Sequence, residues 1–348
     1  AAARDWSAPA REKLLADDAG VLRAFANGYL YTGDETYRET AESIRAFLDT
    51  ELWSGFAYGA SVGPAGDRTD LAAYAGGNAL AADALLTLAA YTDDERSRDY
   101  AERVLDALAR DFVDEDGTVS HYVAGESDAD RDPDTPGDTP GDAPDLLLED
   151  QARVVAAFAR ARQVLGGDAR RTADDPVAVA RTVADRTIEA LGESGGAFRD
   201  GPEVDVGLLA EPLRPLDGAV EIADALLDLA ALSDATGAES DAQRYIDSAN
   251  AAIAAFAGAR ERIGVQVAGY GSVAARLTRP DLVIAVGDDA GSDLHRAALR
   301  VADHEAVVVP AAPEVDAGVA VVRRGTEDRE ATTPDDLLDA VSGLTNGA

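Results

Sequence analysis

The sequence predicts a mainly helical protein in which repeated helical hairpins form a toroid, followed by a small β/α segment at the C-terminus. Two observations support this prediction. A pattern of an apolar helix, a short turn and a more charged helix occurs four times along the chain. After Pro280 the pattern changes, and short runs of β-branched residues flank a helical stretch. The 348 residues suffice for one large domain or two ordinary ones.

The turns between paired helices carry the clearest local signals. Glycine past a helix end adopts the left-handed conformation that terminates the helix, and a following aspartate can cap the next helix. Two of the four turns depart from this pattern, since Asp93 replaces the glycine and Ala238 replaces the capping aspartate. The four turns lie at 31–34, 91–94, 165–168 and 235–238.

Apolar periodicity predicts the helices themselves. The more charged second helices suit an outer layer around apolar inner helices. The repeats are about 60 to 75 residues apart, which favours a toroid of hairpins over a solenoid, because tetratricopeptide repeats are only about 34 residues long. The expected first helices are 78–91, 147–164 and 217–233, and the expected second helices include 95–113 and 240–257. One further helix is expected near 263–278.

The C-terminal segment reads as strand, helix and strand, so the predicted domains are 1–280 and 281–348. Gly287 and Gly291 lie in the first strand-to-helix turn. Their spacing differs from GxGxxG, which favours a tight turn over a nucleotide site. The expected elements are strands at 282–286, 306–309 and 319–322 and a helix at 293–303.

Composition limits the partners. Acidic residues outnumber basic ones by 66 to 31, giving a net charge of -35 that is spread along the chain. This predicts a surface adapted to molar salt, where the Debye length falls to about 3 Å. Because no basic patch is visible, we expect neither nucleic acid nor an anionic membrane as a partner.

Residue types exclude several chemistries. The chain has no cysteine, which excludes disulfides, thiolate catalysis and Cys-based metal sites. With only three histidines, we expect no metal and no cofactor. The loop 128–142 has alternating aspartates, but Pro133 and Thr139 stand where a calcium loop needs glycine and glutamate, so a flexible acidic loop is favoured. No apolar run reaches about 18 residues and the N-terminus is charged, so we expect a cytoplasmic protein.

Short motifs in a fixed order resemble the YyaL-type family, most closely its haloarchaeal branch. This family joins a thioredoxin-like domain to an N-acylglucosamine 2-epimerase-like (α/α) barrel. The resemblance covers nearly the whole chain but only the barrel and C-terminal parts of the family. The matching stretches are 15–19 (LADDA), 77–80 (GNAL), 148–152 (LEDQA), 195–198 (GGAF), 214–219 (RPLDGA) and 320–324 (AVVRR).

The departures from the family pattern affect its chemistry. Gly77 replaces a tryptophan, Ala219 or Gly218 stands in place of an asparagine, and Arg323 replaces a cysteine. The thioredoxin-like domain has no counterpart here, and four hairpins are evident rather than six. The resemblance implies a toroid of the six-hairpin glycosidase type, complete or incomplete, that acts on sugars. It does not indicate which sugar is the substrate.

In barrels of this type, the inner helices present their starts to one end, where a funnel forms. Asp17 and Asp150 stand near such starts, and we expect them to supply acid/base catalysis. Asn78 and Asp217 occupy similar places and are expected to bind substrate. The alternative is that all four are ordinary N-caps.

Aromatic and basic residues in the long connections complete the predicted substrate site. Trp53, Tyr58 and Tyr74 could stack on a sugar ring, or they could cover the end of the barrel. His121 lies in a strand-like loop over the same end, where a structural role is the alternative. Arg214 could clamp a carboxylate or pair with Asp217.

These residues favour a carbohydrate-active enzyme of the N-acylglucosamine 2-epimerase-like or six-hairpin glycosidase class, with a sugar or small polar ligand. The alternative is a non-catalytic scaffold or binding protein with a degenerate barrel. Gly77, Ala219 and the scarcity of histidine support this alternative. A redox partner protein is disfavoured because no cysteine is present.

Overall fold

A computed structural model describes most of the chain. The chain forms two compact units, Ala1–Asp145 and Leu146–Ala348. The predicted domain boundary at 280/281 falls inside the second unit and stays a prediction. The described residues are 12–63, 68–123, 145–167, 175–203, 211–235, 237–258, 261, 268–303 and 305–345.

The first unit contains two helical hairpins. Their first helices, α1 and α3, pack against each other, and each also packs against its own second helix. This agrees with the predicted arrangement of inner and outer helices. Both second helices widen into a π-helical turn at their ends, Leu48–Leu52 and Leu108–Phe112. The helices are α1 (Leu15–Thr32), α2 (Glu35–Phe47), α3 (Ala75–Thr92) and α4 (Glu95–Ala107).

The predicted turn chemistry is confirmed in this unit. Gly33 ends α1 in the left-handed conformation at φ 68°. Asp93 takes the same conformation at φ 57°, which aspartate tolerates better than most residues. Asp34 and Asp94 then cap α2 and α4, because their carboxylates accept hydrogen bonds from backbone amides of the first turn.

Short strands connect the hairpins of the first unit. Three of them form an antiparallel sheet beside the start of α1. The other two, one directly before α3 and one after α4, pair with each other. In the second pair, Tyr74 lies opposite Tyr122. The strands are β1 (Lys13–Leu14), β2 (Ser61–Val62), β3 (Arg68–Asp70), β4 (Ala73–Tyr74) and β5 (Tyr122–Val123).

The second unit repeats the hairpin plan. Its first helices, α5 and α7, pack against each other, and each packs against its own second helix. A further helix, α9, packs against α7 and α8. The helices are α5 (Leu148–Leu165), α6 (Pro176–Leu191), α7 (Leu216–Asp234), α8 (Glu239–Ala254) and α9 (Ala268–Leu277).

The C-terminal segment is a four-stranded mixed sheet with two helices. The strand order is β7-β6-β8-β9, with β6 parallel to β7 and antiparallel to β8. The three predicted strands are confirmed, whereas β9 and α11 were not foreseen. The elements are β6 (Leu282–Val286), α10 (Asp293–Leu299), β7 (Val307–Val309), β8 (Ala320–Arg324), β9 (Glu327–Ala331) and α11 (Pro334–Thr345).

Buried polar contacts attach this sheet to the end of α5. The His295 Nε2–H donates to the carbonyl of Gln163 (2.8 Å), while its Nδ1 accepts from the Gly291 amide (2.9 Å). The Gln163 side-chain oxygen accepts from the backbone amide of Val308 (3.1 Å). Because His295 and Gln163 are buried, their hydrogen bonds fix the sheet in one position on the helix.

Two predicted features fall outside the described residues, namely the acidic loop 128–142 and the start of the helix expected at 263–278, and so does His304, one of the three histidines. The helix expected at 293–303 ends at Leu299. In the described part of the chain, no helix is long and apolar enough to span a membrane. No group of three potential metal ligands is found in the same ranges.

Candidate functional site

The starts of three first helices, α1, α3 and α5, are each tied to the loop that follows their own hairpin. The first amide of α1, from Leu15, donates to the carbonyl of Ala60 (2.9 Å). The first amides of α3 and α5 donate in the same way to the carbonyls of His121 and Asp200, both at 2.9 Å. The loops after the second helices therefore lie at the N-terminal ends of the first helices, where the sequence predicts a site.

Each of these loops opens with a tight β-turn, and sequence analysis pointed only to the one at 195–198, through its GGAF motif. An antiparallel bridge closes the turn, and a glycine with positive φ lies inside it. Only glycine adopts this conformation without strain, so the recurring glycine was the available signal. The bridges join Trp53 to Tyr58, Val113 to Val119 and Gly192 to Phe198, and the glycines are Gly55, Gly117 and Gly196, at φ 106°, 86° and 86°.

Asn78 holds the first of these turns. Its Oδ1 accepts from the Tyr58 amide (2.9 Å), and its Nδ2 donates to the carbonyls of Tyr58 and Tyr74, both at 3.0 Å. The side chain is completely buried. All of these bonds are made to backbone, so Asn78 positions the loop and offers no surface to a ligand. Its expected role in binding substrate has no support in this geometry.

Tyr58 is also a structural residue. Its side chain is completely buried, with the ring 5.0 Å from Trp53. Its hydroxyl donates to Asp49 (2.9 Å), whose other oxygen accepts from Arg45 (2.6 Å). Burial raises the pKa of Asp49, although the hydrogen bonds from Tyr58 and Arg45 oppose this shift. Trp53 packs edge-on against both Tyr58 and Tyr100, at 5.0 Å in each case. Tyr58 therefore takes the alternative role, in which an aromatic side chain covers the end of the helices.

Tyr74 and His121 do come together, in a second aromatic cluster. Their ring centroids are 5.1 Å apart, and Tyr122 lies 5.8 Å from Tyr74 and 6.3 Å from His121. The Tyr74 hydroxyl donates to a carboxylate oxygen of Asp70 (3.2 Å). All four side chains are half-buried. We call Asp70, Tyr74, His121 and Tyr122 the ring cluster. It combines partly exposed aromatic faces with a carboxylate at the start of α3.

The two predicted catalytic carboxylates occupy the same position in their helices. Asp17 is the third residue of α1 and is exposed, whereas Asp150 is the third residue of α5 and is buried. The N-caps of these helices are Leu14 and Leu147, without side-chain capping bonds. The alternative that Asp17 and Asp150 are N-caps is therefore wrong.

The remaining predicted residues lie before and within the first turn of α7. Asp217 is exposed and is not the N-cap, which is Pro215. Arg214 pairs with Glu193 rather than with Asp217, through two hydrogen bonds of 2.7 and 2.6 Å. The hydrogen bonds from Arg214 lower the pKa of Glu193. This ion pair is exposed, so it contributes little to stability.

Asp18 is a residue that sequence reasoning missed. It is the fourth residue of α1, the position that Asn78 holds in α3. Within the described ranges, its Oδ2 is buried and has no hydrogen-bond partner. Burial raises the pKa of Asp18; Lys13 opposes this shift and Asp17 adds to it. The available signal was the alignment of the helix starts, LADDA with AGGNA.

Solved structures with helical toroids resemble this chain. A cellobiose 2-epimerase from Spirochaeta thermophila DSM 6192 matches with a TM-score of 0.56 and 15% identity, over 73% of this chain and 61% of that one. A sugar epimerase from a ruminal bacterium gives 0.55 and 10%, over 71% and 61%. An unsaturated glucuronyl hydrolase from Bacillus sp. GL1 gives 0.52 and 21%, over 70% and 62%. No protein-family model and no curated protein matches the sequence.

These likenesses establish the class of fold. The chain is mainly helical, with hairpins of the (α/α) toroid type that epimerases and six-hairpin glycosidases share, and it carries a small C-terminal sheet. The chain spans about three fifths of the length of these proteins, since it covers 61% of both epimerases. At 10 to 21% identity, the likeness concerns the fold and leaves the reaction to the site.

Proposed function

We propose that this chain is a carbohydrate-active protein of the N-acylglucosamine 2-epimerase-like or six-hairpin glycosidase class. The observation that carries the proposal is the ring cluster at the start of α3. Aromatic faces stack on the apolar faces of sugar rings, and a neighbouring carboxylate accepts hydrogen bonds from sugar hydroxyls. Tyr74, His121 and Asp70 combine these two properties on a half-exposed surface.

Asp17 and Asp150 are the proposed acid/base residues. Acid/base catalysis assigns different roles to two carboxyl groups when their environments differ. Their shared place in the helices, one exposed and one buried, is consistent with this requirement. Asp217 and Arg214 are proposed to add polar contacts to the ligand, with Arg214 exchanging its pairing with Glu193 for a ligand group.

The finer assignments are also proposals. Membership of the YyaL-type family is supported by the order of the short motifs along the chain. A cytoplasmic location at high salt is supported by the net charge of -35. This composition also makes a neutral sugar a better ligand than a polyanion, because a polyanion would be repelled.

A non-catalytic scaffold or binding protein is the second candidate, and one observation favours it. The third residue is aspartate only in α1 and α5, while α3 and α7 have Gly77 and Gly218 there. Half of the first helices therefore present no carboxylate at this position. In this alternative, the ring cluster binds a ligand without converting it.

The test is sugar binding by calorimetry and thermal shift in about 2 M KCl, where acidic surfaces are well screened. A panel of mono- and disaccharides is compared for the wild type, Tyr74→Ala and His121→Ala. Tyr37→Ala on α2 is the matched control, since this exposed tyrosine lies outside the ring cluster. We expect at least one sugar to bind, with an affinity that falls about tenfold or more in the cluster variants.

Turnover separates the two candidates. A sugar that binds is incubated with the wild type, Asp17→Asn and Asp150→Asn, and the products are separated by chromatography. Conversion that both variants lose supports the enzyme. Binding without conversion supports the binding protein, and an absence of binding across the panel overturns the proposal.

A further inference from the structure

Three tyrosines each donate a hydroxyl hydrogen bond to an aspartate. A phenol supplies a proton and no charge, so the carboxylate keeps its negative charge in such a pair. The three pairs differ in what balances that charge. They are Tyr58 with Asp49 (2.9 Å), Tyr245 with Asp185 (2.8 Å) and Tyr74 with Asp70 (3.2 Å).

In the first two pairs, an arginine balances the charge of the aspartate. Arg45 donates to the second oxygen of Asp49 (2.6 Å). Arg244 forms an ion pair with Asp185. Hydrogen bonds between ionised groups are roughly twice as strong as those between neutral groups. Each of these two sites therefore consists of a tyrosine, an aspartate and a cation that holds the aspartate.

Asp70, in the ring cluster, lacks the cation. Its Oδ1 accepts from the backbone amide of Ala72 (2.9 Å) and its Oδ2 accepts from Tyr74, and both donors are neutral. Among the described side chains, no arginine or lysine pairs with Asp70. Lys13, the only lysine of the chain, lies in the same sheet, but its Nζ is 4.0 Å from the centre of the Phe47 ring.

A second carboxylate lies on the same side of this sheet. Ser61 in β2 is directly opposite Asp70 in β3, and its hydroxyl donates to Glu12 (2.9 Å). Directly opposite residues of an antiparallel pair share a face, with their Cβ atoms about 5 Å apart. The two carboxylates therefore flank Ser61, and both add negative potential beside the ring cluster.

The aromatic rings of the cluster also favour a cation. The face of an aromatic ring attracts a cation that lies within about 6 Å of the ring centre. Tyr74 and Tyr122 are half-exposed, and their ring centroids are 5.8 Å apart. Because the Tyr74 hydroxyl contacts Asp70, a cationic group that binds Asp70 can also lie within this distance of the Tyr74 ring.

We propose that the ring cluster binds a sugar that carries a protonated amino group, with the ammonium at Asp70 and the sugar ring against Tyr74 and Tyr122. This inference rests on the proposed function, because it names the substrate class of the same site. The ammonium takes the place that an arginine holds in the other two tyrosine–aspartate pairs. Its charge-assisted hydrogen bond to Asp70 is stronger than the bond from a hydroxyl, so the site prefers an amino sugar to its neutral counterpart.

The test compares affinities by calorimetry in about 2 M KCl, at a pH that keeps the amino group protonated. Glucosamine and 6-amino-6-deoxyglucose are each compared with glucose, which has a hydroxyl at both positions, and with their own N-acetylated forms, which are neutral. We expect at least one amino sugar to bind the wild type about tenfold or more tightly than glucose. N-acetylation of that sugar should remove the gain.

Two substitutions separate the charge of Asp70 from a general attraction to an acidic protein. Asp70→Asn keeps an oxygen for the Ala72 amide but removes the charge, so the ratio between the amino-sugar and glucose affinities should fall to about one. Asp185→Asn is the matched control and should leave the ratio unchanged. Asp185 also accepts from a tyrosine hydroxyl, but Arg244 already balances its charge.

The outcomes distinguish this inference from the proposed function. Sugars that bind without any preference for the amino group overturn the inference alone. A preference that a natively folded Asp70→Asn variant retains also overturns it, because the attraction then comes from the acidic surface as a whole. N-acetylation removes the charge of the ligand without changing the protein, so a gain that survives it overturns the inference whether or not the variant folds. If no sugar binds, neutral or amino, both proposals are wrong.

Discussion

Asn78→Ala is the most informative single change in the first unit. It removes three hydrogen bonds to backbone groups of Tyr58 and Tyr74. A net contribution of about 1 kcal/mol per bond gives ~3 kcal/mol, and buried groups left without partners add roughly 1 kcal/mol or more. We therefore expect a loss of about 3 to 5 kcal/mol in the free energy of unfolding. Asn250→Ala, at an exposed position of α8, should cost less than ~0.5 kcal/mol.

Trp53 reports on the same turn. It is one of two tryptophans, and its ring is 5.0 Å from Tyr58. In a Trp6→Phe background, its emission during urea unfolding follows the turn that Asn78 holds, while circular dichroism follows the helices. Asn78→Ala should lower the midpoint in both signals and expose Trp53 at lower urea. A cost below ~1 kcal/mol, or an unchanged Trp53 signal, would refute the structural role of Asn78.

Three further predictions test separate features. His295→Ala should lower the free energy of unfolding by about 2 to 3 kcal/mol, because a buried carbonyl and a half-buried amide lose their partner, as measured by urea titration. Gly196→Ala should cost at least ~2 kcal/mol more than Gly55→Ala, because a Cβ at Gly196 would be 2.6 Å from the Ala251 carbonyl oxygen while the space at Gly55 is open; equal costs would contradict this. Burial raises the pKa of Asp18, so its carboxylate costs stability above that pKa and the protonated form does not. Asp18→Asn should therefore raise the urea midpoint at pH 7, and the gain should disappear as the pH falls below the ordinary value of 3.8.

The helical hairpins could be predicted because their signals are local. The apolar positions of α5 recur at helical spacing, and the helix expected at 147–164 is observed at Leu148–Leu165. Asp34 and Asp94 cap their helices as expected, because a cap depends only on residues two or three positions away. Where a residue departs from the pattern, as Asp93 does, the backbone still adopts the left-handed turn.

The candidate site was harder to predict because it depends on contacts between distant segments. Tyr74 meets His121 and Tyr122 only because β4 pairs with β5, and nothing near Tyr74 in the sequence specifies that pairing. Residue type also fails to tell an exposed aromatic from a buried one. Tyr58 and Tyr74 were assigned the same role, yet Tyr58 is completely buried and bonded to Asp49, while Tyr74 stays half-exposed.

Aspartate and glycine alternate at the third position of the first helices α1, α3, α5 and α7. The packing of the two glycines bears on the departures from the family pattern. Gly218 cannot become a larger residue without displacing the Leu148 side chain, since a Cβ there would approach to 2.9 Å. Gly77 also faces Leu15, but a Cβ there would be at an ordinary contact distance of 3.4 Å. Glycine in α3 and α7 is thus matched to the leucine that begins α1 and α5, and each unit is one repeat of two hairpins. Packing therefore accounts for the glycine at residue 218, whereas residue 77 has room for a Cβ. In the proposed enzyme, the acid/base residues are Asp17 and Asp150, at the third position of α1 and α5. Turnover by Asp17→Asn and Asp150→Asn therefore decides between the enzyme and the binding protein.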